Sequence, residues 1–209
     1  DANFENYLET HTTYGAVVAI GSPSSMGNGI PNDSIVPTAN IKFVTNLMLY
    51  GQWISDITGL EDFDSLQTLN CGGNPLTSLD VSSNSNLKSL YCWNYLNLDT
   101  LDLSQNANLT WVQCPSSGIN TLILNGATAL TTLTCQGNQL TSLDVNTNIY
   151  LTDLWCQDNQ LTTLDVSNND SLTSLRCYEN QLTSLDLDGS SALQDVWCYD
   201  NNLTSLYLN

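Results

Sequence analysis

All seven cysteines of the chain recur at a nearly constant spacing, and this regularity limits the folds that the chain can adopt. They lie at Cys71, Cys92, Cys114, Cys135, Cys156, Cys177 and Cys198, so neighbouring cysteines are 21 residues apart except for one interval of 22. Each occupies the same place in the motif Leu-x-x-Leu-x-Cys-x-x-Asn-x-Leu-x-x-Leu-Asp, of which 172–186 is a clear copy. A fixed period in this range indicates a solenoid, in which each repeat forms one coil and stacks on its neighbours.

The repeats occupy most of the chain and leave a shorter segment ahead of them. The first copy begins at Val44 with leucine at the cysteine place, and the others begin at Leu66, Leu87, Leu109, Leu130, Leu151, Leu172 and Leu193. We therefore expect an N-terminal cap at 1–43 and eight leucine-rich repeats at 44–209, the last one incomplete. Because a terminal coil without a polar cap leaves its core open, we also expect the natural protein to continue past residue 209.

The cap is predicted to start with a short helix over residues 1–8. Asp1 or Asn3 can cap this helix, because their side chains accept hydrogen bonds from the first free backbone N–H groups. The apolar residues that share one face of the helix are Phe4, Tyr7 and Leu8. This face is expected to cover the first coil.

Within each copy, apolar and variable places alternate along Leu-x-x-Leu-x-Cys, as they do in a strand with one buried face. The cysteine thus takes the place of a core leucine, and we expect a ladder of free buried thiols. An asparagine follows three places later and is expected to bond to backbone groups of neighbouring coils. These asparagines are Asn74, Asn138, Asn159, Asn180 and Asn201. In the fourth copy Ser117 stands at this place.

Composition and charge argue against several classes of function. Acidic residues outnumber basic ones 21 to 3, which gives a net charge of −18 and disfavours binding to nucleic acids and to anionic membranes. No hydrophobic run is long enough to span a bilayer, so membrane insertion is not expected. The single histidine, His11, has no recognisable nucleophile or acid partner, and no metal-ligand spacing is visible, so we expect no enzyme and no resident metal.

The repeat shows which side chains point away from the core, and aromatic residues collect among them. Counting the first leucine of a copy as place one, places two, three, five, seven and eight face outward. Two groups of ligand-binding candidates result: the first is Tyr91, Trp93 and Trp111, and the second is Trp155, Arg176, Tyr178, Glu179, Trp197, Tyr199 and Asp200. Arg176 is expected to pair with acidic neighbours and to stack on an aromatic ring. Exposed aromatic groups mark binding sites, although cross-strand stacking for sheet stability would also explain them.

A column of aspartates is predicted on another side of the coil. Its members are Asp80, Asp102, Asp144, Asp165 and Asp186. They can serve as solvated carboxylates that cap turns. Calcium bound between neighbouring coils is the alternative, because hard cations prefer clustered oxygen ligands.

The repeat as a whole resembles a known family. The 21-residue form with Leu-Asp-Val-Ser in its second half is similar to the cysteine-ladder leucine-rich repeats of bacterial surface proteins, those of the internalin J type and of Bacteroidetes. The resemblance implies a right-handed horseshoe or superhelix with a parallel β-sheet on the concave face. It also implies an extended or loop-like convex side with little helix, a short helical N-terminal cap, and a location that is secreted or on the bacterial cell surface.

The resemblance also bears on calcium in the cap, because caps of this group carry an Asp-rich loop. The matching stretch here, 27–34, has the single carboxylate Asp33, so it does not support a calcium cofactor.

We interpret the chain as a non-enzymatic recognition module that binds a protein partner through the concave strand face, in adhesion to a host or between cells. A polysaccharide ligand is the alternative, because aromatic rings beside Asp, Asn and Gln match sugar rings. A structural spacer without a ligand is a further alternative, and ice binding through the threonine rows is a remote one. We expect a monomer.

Overall fold

The computed structural model describes residues 1–30, 33, 35–94 and 98–208. Within these residues the chain winds into a solenoid, in which each repeat contributes one short strand to a common parallel sheet of eight strands. The strands of this sheet, in order, are β1 (Asn46–Met48), β2 (Thr68–Asn70), β3 (Ser89–Tyr91), β5 (Trp111–Gln113), β7 (Thr132–Thr134), β8 (Asp153–Trp155), β9 (Ser174–Arg176) and β11 (Asp195–Trp197). The expected parallel strand face is therefore confirmed.

The second half of some coils forms shorter parallel pairs. Strand β4 (Thr100–Asp102) pairs with β6 (Thr121–Ile123), and β10 (Ser184–Asp186) pairs with β12 (Ser205–Tyr207). The register of every pair in the eight-stranded sheet aligns equal repeat places, so that Leu154, for example, lies beside Leu175. Side chains of one place thus form a straight column along the stack, which allows a column to act as a unit.

The core consists of these apolar columns. The central leucine or valine of each strand, at place four, is buried in the first seven coils. Place six, the next place that points inward, holds Leu49 in the first coil and a cysteine in the others. All seven cysteines are free, and every one except the half-buried Cys198 is buried. Burial raises the pKa of the Cys71 and Cys177 thiols from 9.0 to about 12. The ladder of free buried thiols that the repeat predicts is confirmed for six of the seven cysteines.

The asparagine ladder satisfies backbone groups inside the turns. The Nδ2 of Asn159 donates to the carbonyls of Cys135 and Cys156, both at 3.1 Å, and its Oδ1 accepts from the N–H of Leu140 at 3.0 Å. In the fourth coil the Oγ of Ser117 donates to the carbonyl of Cys92 at 2.7 Å, so serine replaces part of the asparagine function. Each ladder residue ties its own turn to the coil before it.

A second asparagine ladder, which the sequence analysis missed, closes the opposite turn. The buried Nδ2 groups of its members donate to main-chain carbonyls of the preceding coil. The members are Asn84, Asn106, Asn148 and Asn169. Their common place, three residues before the next copy begins, was readable from the repeat.

The N-terminal helix has the expected start and the expected buried face. Helix α1 (Ala2–Thr10) is capped by the Oδ1 of Asp1, which accepts from the N–H groups of Asn3 at 2.7 Å and Phe4 at 3.2 Å. A short helix α2 (Thr38–Ile41) and one 3₁₀ turn (Leu60–Asp62) complete the helical content of the described residues. No helix in these parts of the chain is long and apolar enough to cross a membrane.

Two glutamates of α1 are buried, and one of them organises the loop that the resemblance relates to calcium. The carboxylate of Glu9, which is 0% exposed, accepts from the N–H groups of Asn28 at 2.6 Å and Gly29 at 2.8 Å. The buried Glu5 accepts from the N–H of Asp33 at 2.7 Å. The Glu9 oxygens are thus used by backbone donors. Residues 31, 32 and 34 of this loop lie outside the described part.

Candidate functional site

The second group of candidate residues forms one connected cluster on the outer face of β8, β9 and β11. The guanidinium of Arg176 lies between two tryptophan rings, with its carbon 4.1 Å from the ring centroid of Trp155 and 4.7 Å from that of Trp197. Parallel pairing puts these residues at the same place in adjacent strands, so the sandwich follows directly from the register. Stacking of a guanidinium on both faces favours a fixed orientation.

Asp195 holds this sandwich together from the side. One carboxylate oxygen lies 4.0 Å from the Nη2 of Arg176, and the other accepts from the indole Nε1 of Trp197 at 2.6 Å. Arg176 keeps 27% of its side chain exposed. The predicted pairing and stacking of Arg176 are therefore both present.

Two tyrosines continue the cluster at place seven. The rings of Tyr178 and Tyr199 are stacked at a centroid distance of 4.6 Å, and Trp197 tilts toward Tyr178 at 6.1 Å. Tyr199 remains exposed. We name the set Trp155, Arg176, Tyr178, Trp197 and Tyr199 the C-terminal aromatic patch.

A column of carboxylates borders the patch at place eight. Its members, Asp158, Glu179 and Asp200, are exposed and have positive φ angles of 55°, 52° and 50°. The pKa of Tyr199 is raised, first by partial desolvation and then by the nearby Tyr178, Glu179 and Asp200. The carboxylates thus make the potential at this edge of the patch negative. We name these three residues the acidic column.

Unlike the second group, the three residues of the first group do not form a set of stacked rings in the described structure. Trp93 stacks instead on Tyr50, two coils away, at a centroid distance of 5.1 Å. Gly72 lies between them: a Cβ at this residue would come within 3.2 Å of the Trp93 ring. No ring contact joins Tyr91, Trp93 and Trp111 within the described residues. Residues 95–97, which follow Trp93, lie outside that part of the chain.

The middle of the strand face is more closed than the repeat frame implies. Thr134 is 3% exposed and Gln157 is 7% exposed, although both occupy places that were expected to point outward. Their neighbours in the register are larger; Thr134, for example, lies between Gln113 and Trp155. A side chain that points away from the core is therefore not always exposed, because longer neighbouring side chains on the same face can cover it.

Buried polar atoms without a protein partner concentrate on this part of the face. Among the described residues, those at places five and seven of three adjacent coils are Thr134 Oγ1, Gln136 Oε1, Trp155 Nε1, Gln157 Oε1 and Arg176 Nε. Most buried polar groups in folded proteins have a partner, so these atoms are donors and acceptors that the described residues leave unused. The Oδ1 atoms of the second asparagine ladder are unpartnered in the same way.

The aspartate column on the other side caps turns. The Oδ1 of each member accepts from the backbone N–H two residues further on, at 2.8 to 3.0 Å. The Ser82 hydrogen bond lowers the pKa of Asp80, and the Ser167 hydrogen bond does the same for Asp165. Within the described residues, no three His, Cys, Asp or Glu side chains are grouped so that they could hold a metal ion. This geometry supports the turn-capping interpretation.

His11 has a structural environment in the cap. Its ring stacks on Tyr7 at a centroid distance of 3.9 Å, and its Nδ1 lies 2.9 Å from the Tyr7 carbonyl oxygen. These contacts give the one histidine a structural place in the cap.

Comparison with known proteins identifies the fold. No family model matches the sequence, and no curated protein sequence matches it. Among solved structures, internalin C2 of Listeria monocytogenes has a TM-score of 0.79 at 20% identity, over 98% of this chain and 86% of that one. The LRR ectodomain of the Arabidopsis thaliana receptor kinase GASSHO1/SCHENGEN3, solved in complex with CASPARIAN STRIP INTEGRITY FACTOR 2, has a TM-score of 0.59 at 19% identity, over 70% and 20% of the two chains.

The chain has the leucine-rich-repeat fold. The functional domain of InlJ from Listeria monocytogenes, described as including a cysteine ladder, has a TM-score of 0.50 at 22% identity. The match covers 83% of this chain and 65% of that domain, so the chain spans less than two thirds of it. The resemblance inferred from the cysteine repeat is confirmed at the level of the fold.

Proposed function

We propose that this leucine-rich-repeat protein is a non-enzymatic recognition module that binds a protein partner through the C-terminal aromatic patch. The observation that carries the proposal is the Arg176 sandwich with its stacked tyrosine neighbours. Tryptophan, tyrosine and arginine are the residues that most often dominate binding energy at protein interfaces. Here all three types occur together on one outer face, in coils whose fold requires only their inward residues.

The rigidity of the patch supports a binding role. Asp195 holds Arg176 and Trp197, and the two tyrosines hold each other, so a partner would meet side chains that are already ordered. Pre-ordered side chains lose little conformational entropy on binding. All five residues of the patch lie on β8, β9, β11 or directly after these strands.

The solved relatives are consistent with this role. The Arabidopsis ectodomain was solved with a bound factor, which shows that this fold can present a binding surface of that kind. By analogy with the internalins, we propose an extracellular or bacterial cell-surface location and a role in adhesion.

An array of extracellular proteins, probed with labelled protein, tests the proposal. We expect the wild type to bind at least one protein on the array. The same binding should persist in the control variant Trp53→Ala, because Trp53 is 78% exposed but lies outside the patch. The same hits should be lost in a Tyr178→Ser/Tyr199→Ser variant that is shown to be folded by circular dichroism. Hits that survive the tyrosine substitutions, or no hits at all, would contradict the proposal.

A polysaccharide ligand is the second candidate, because the stacked and exposed Tyr199 ring lies beside Asp200 and could pack against a sugar. A glycan array probed with the same variants separates the two candidates. Glycan binding that depends on Tyr178 and Tyr199, with an empty protein array, would favour the polysaccharide.

A further inference from the structure

We propose that the partner is recognised through a basic segment, and that an arginine or lysine side chain of this segment packs against the Tyr178–Tyr199 stack and pairs with Glu179 and Asp200. This inference rests on the proposed protein-binding function and names the chemistry of the partner. It makes the edge of the patch a site for a cationic side chain.

The chain itself shows how this face holds a guanidinium. Arg176 is bound by aromatic rings on its two faces and by the carboxylate of Asp195 at its edge. Two residues further along the same coils, the stacked rings of Tyr178 and Tyr199 are followed by the carboxylates of Glu179 and Asp200. Because these two rings stack directly on each other, the second set offers an external cation an outer aromatic face and carboxylates rather than a gap between two rings.

The second set has no cation from its own chain. Within residues 1–30, 33, 35–94 and 98–208 the one ion pair is Arg176 with Asp195. The other basic side chains are remote in the repeat: Lys42 lies over Phe43 in the cap, and Lys88 lies in the third copy. Glu179, Tyr199 and Asp200 are exposed, so a side chain from another molecule can reach them.

Charge complementarity selects a basic occupant over the alternatives. The chain carries a net charge of −18, and three carboxylates of the acidic column lie in consecutive coils beside the tyrosines. Adjacent parallel strands are about 4.8 Å apart, so one guanidinium can contact the carboxylates of two coils. An acidic partner segment would be repelled at long range, whereas a basic one would be attracted toward this edge. Desolvation is the first cause of the raised pKa of Tyr199, and the nearby Glu179 and Asp200 raise it further.

The test uses a short fluorescent peptide in which arginines alternate with glycines, and a twin in which every arginine is citrulline. Citrulline keeps the shape of the side chain and removes its charge. Binding to the full chain is measured by anisotropy at physiological ionic strength. We expect the arginine peptide to bind and its citrulline twin to bind at least about tenfold more weakly.

Matched variants separate local recognition from general attraction to an acidic protein. Glu179→Gln/Asp200→Asn should weaken the arginine peptide by about tenfold, because it removes the paired carboxylates. Asp64→Asn/Asp170→Asn removes the same charge at exposed turn positions away from the patch and should change binding by less than about twofold. Tyr178→Ser/Tyr199→Ser should weaken it by about fivefold through loss of ring packing.

Equal losses in the two charge variants, or no arginine-dependent binding, would overturn the inference. Neither result would contradict the proposed function if binding to proteins on the array still depended on Tyr178 and Tyr199. The opposite outcome is also informative. If the arginine peptide binds through Glu179 and Asp200 but the protein array shows no tyrosine-dependent binding, the cation site stands and the proposed protein recognition is contradicted.

Discussion

Arg176 joins several side chains of the strand face through one guanidinium group. It is one of only three basic residues in the chain, and its guanidinium contacts two indole rings and one carboxylate. A planar group can use both of its faces and its edge at once, which an ammonium cannot do. The residue therefore orders both tryptophans of the C-terminal aromatic patch.

We predict that Arg176→Met lowers the free energy of unfolding by about 1–2 kcal/mol, since it removes two cation–π contacts and the ion pair with Asp195. Arg176→Lys should restore less than half of this loss, because lysine keeps the charge but cannot stack on both rings. Urea denaturation followed by tryptophan fluorescence measures both values. Lys88→Met removes one positive charge at an exposed place and should stay within about 0.5 kcal/mol of the wild type. A lysine variant as stable as the wild type would show that charge alone matters.

The residue scale is also where prediction from sequence was least complete. The repeat frame placed Arg176 between Trp155 and Trp197 correctly, because these residues share one place in consecutive coils. It placed Trp93 with Tyr91 and Trp111, whereas the ring leans across Gly72 onto Tyr50. Such lateral shifts depend on side-chain rotamers and on the space that a neighbouring glycine leaves, and a one-dimensional pattern records neither.

At the scale of the element, the turn of each coil depends on its ladder residue. Asn159 accepts from the buried N–H of Leu140 and donates to the carbonyls of Cys135 and Cys156. Each of these carbonyls also accepts from the next ladder residue on one side, Asn138 for Cys135 and Asn180 for Cys156. The thiol and asparagine ladders were both predictable because they require one residue type at one place. The buried Glu9 was not, since its partners lie in the irregular loop at 27–29 and follow no period.

We predict that Asn159→Ala lowers the free energy of unfolding by about 1–3 kcal/mol, because it leaves the buried N–H of Leu140 without a partner and removes one of the two donors to each carbonyl. Asn159→Ser should recover part of the loss, because Ser117 donates to the equivalent carbonyl in the fourth coil. Chemical denaturation provides the comparison. Asn168→Ala, at an exposed turn, is the control and should change stability by no more than about 0.5 kcal/mol. A serine variant no better than alanine would mean that the amide oxygen, which only asparagine supplies, is the essential atom.

At the scale of the whole molecule, the solenoid has unequal ends. The cap covers the first coil with Phe4, Tyr7 and Leu8, whereas in the last coil Val196 and Leu206 are exposed and Cys198 is only half buried. Because each coil is stabilised mainly by its neighbours, we expect the cap to stabilise the first coil.

The thiol ladder links the stability of the entire stack to alkaline pH. Burial raises the folded-state pKa of Cys71 and Cys177 to about 12, and the pKa values of Cys92, Cys135 and Cys156 are raised as well. An unfolded chain would ionise these thiols near the ordinary value of 9.0. A raised folded pKa contributes stability in full below the unfolded value and loses it as pH rises toward the folded value.

We therefore predict that the free energy of unfolding declines steeply from about pH 9 toward pH 12, by about 1 kcal/mol per pH unit for each protected thiol. Urea midpoints measured at successive pH values under reducing conditions follow this decline. The control is Cys71→Leu, which introduces the residue that the first coil has at this place, Leu49. The free energy of unfolding of this variant can differ from that of the wild type. Its decline with pH above pH 9 should be less steep by the contribution of one thiol. An unchanged slope would assign the alkaline loss to tyrosine ionisation or to charge repulsion across the chain rather than to the ladder.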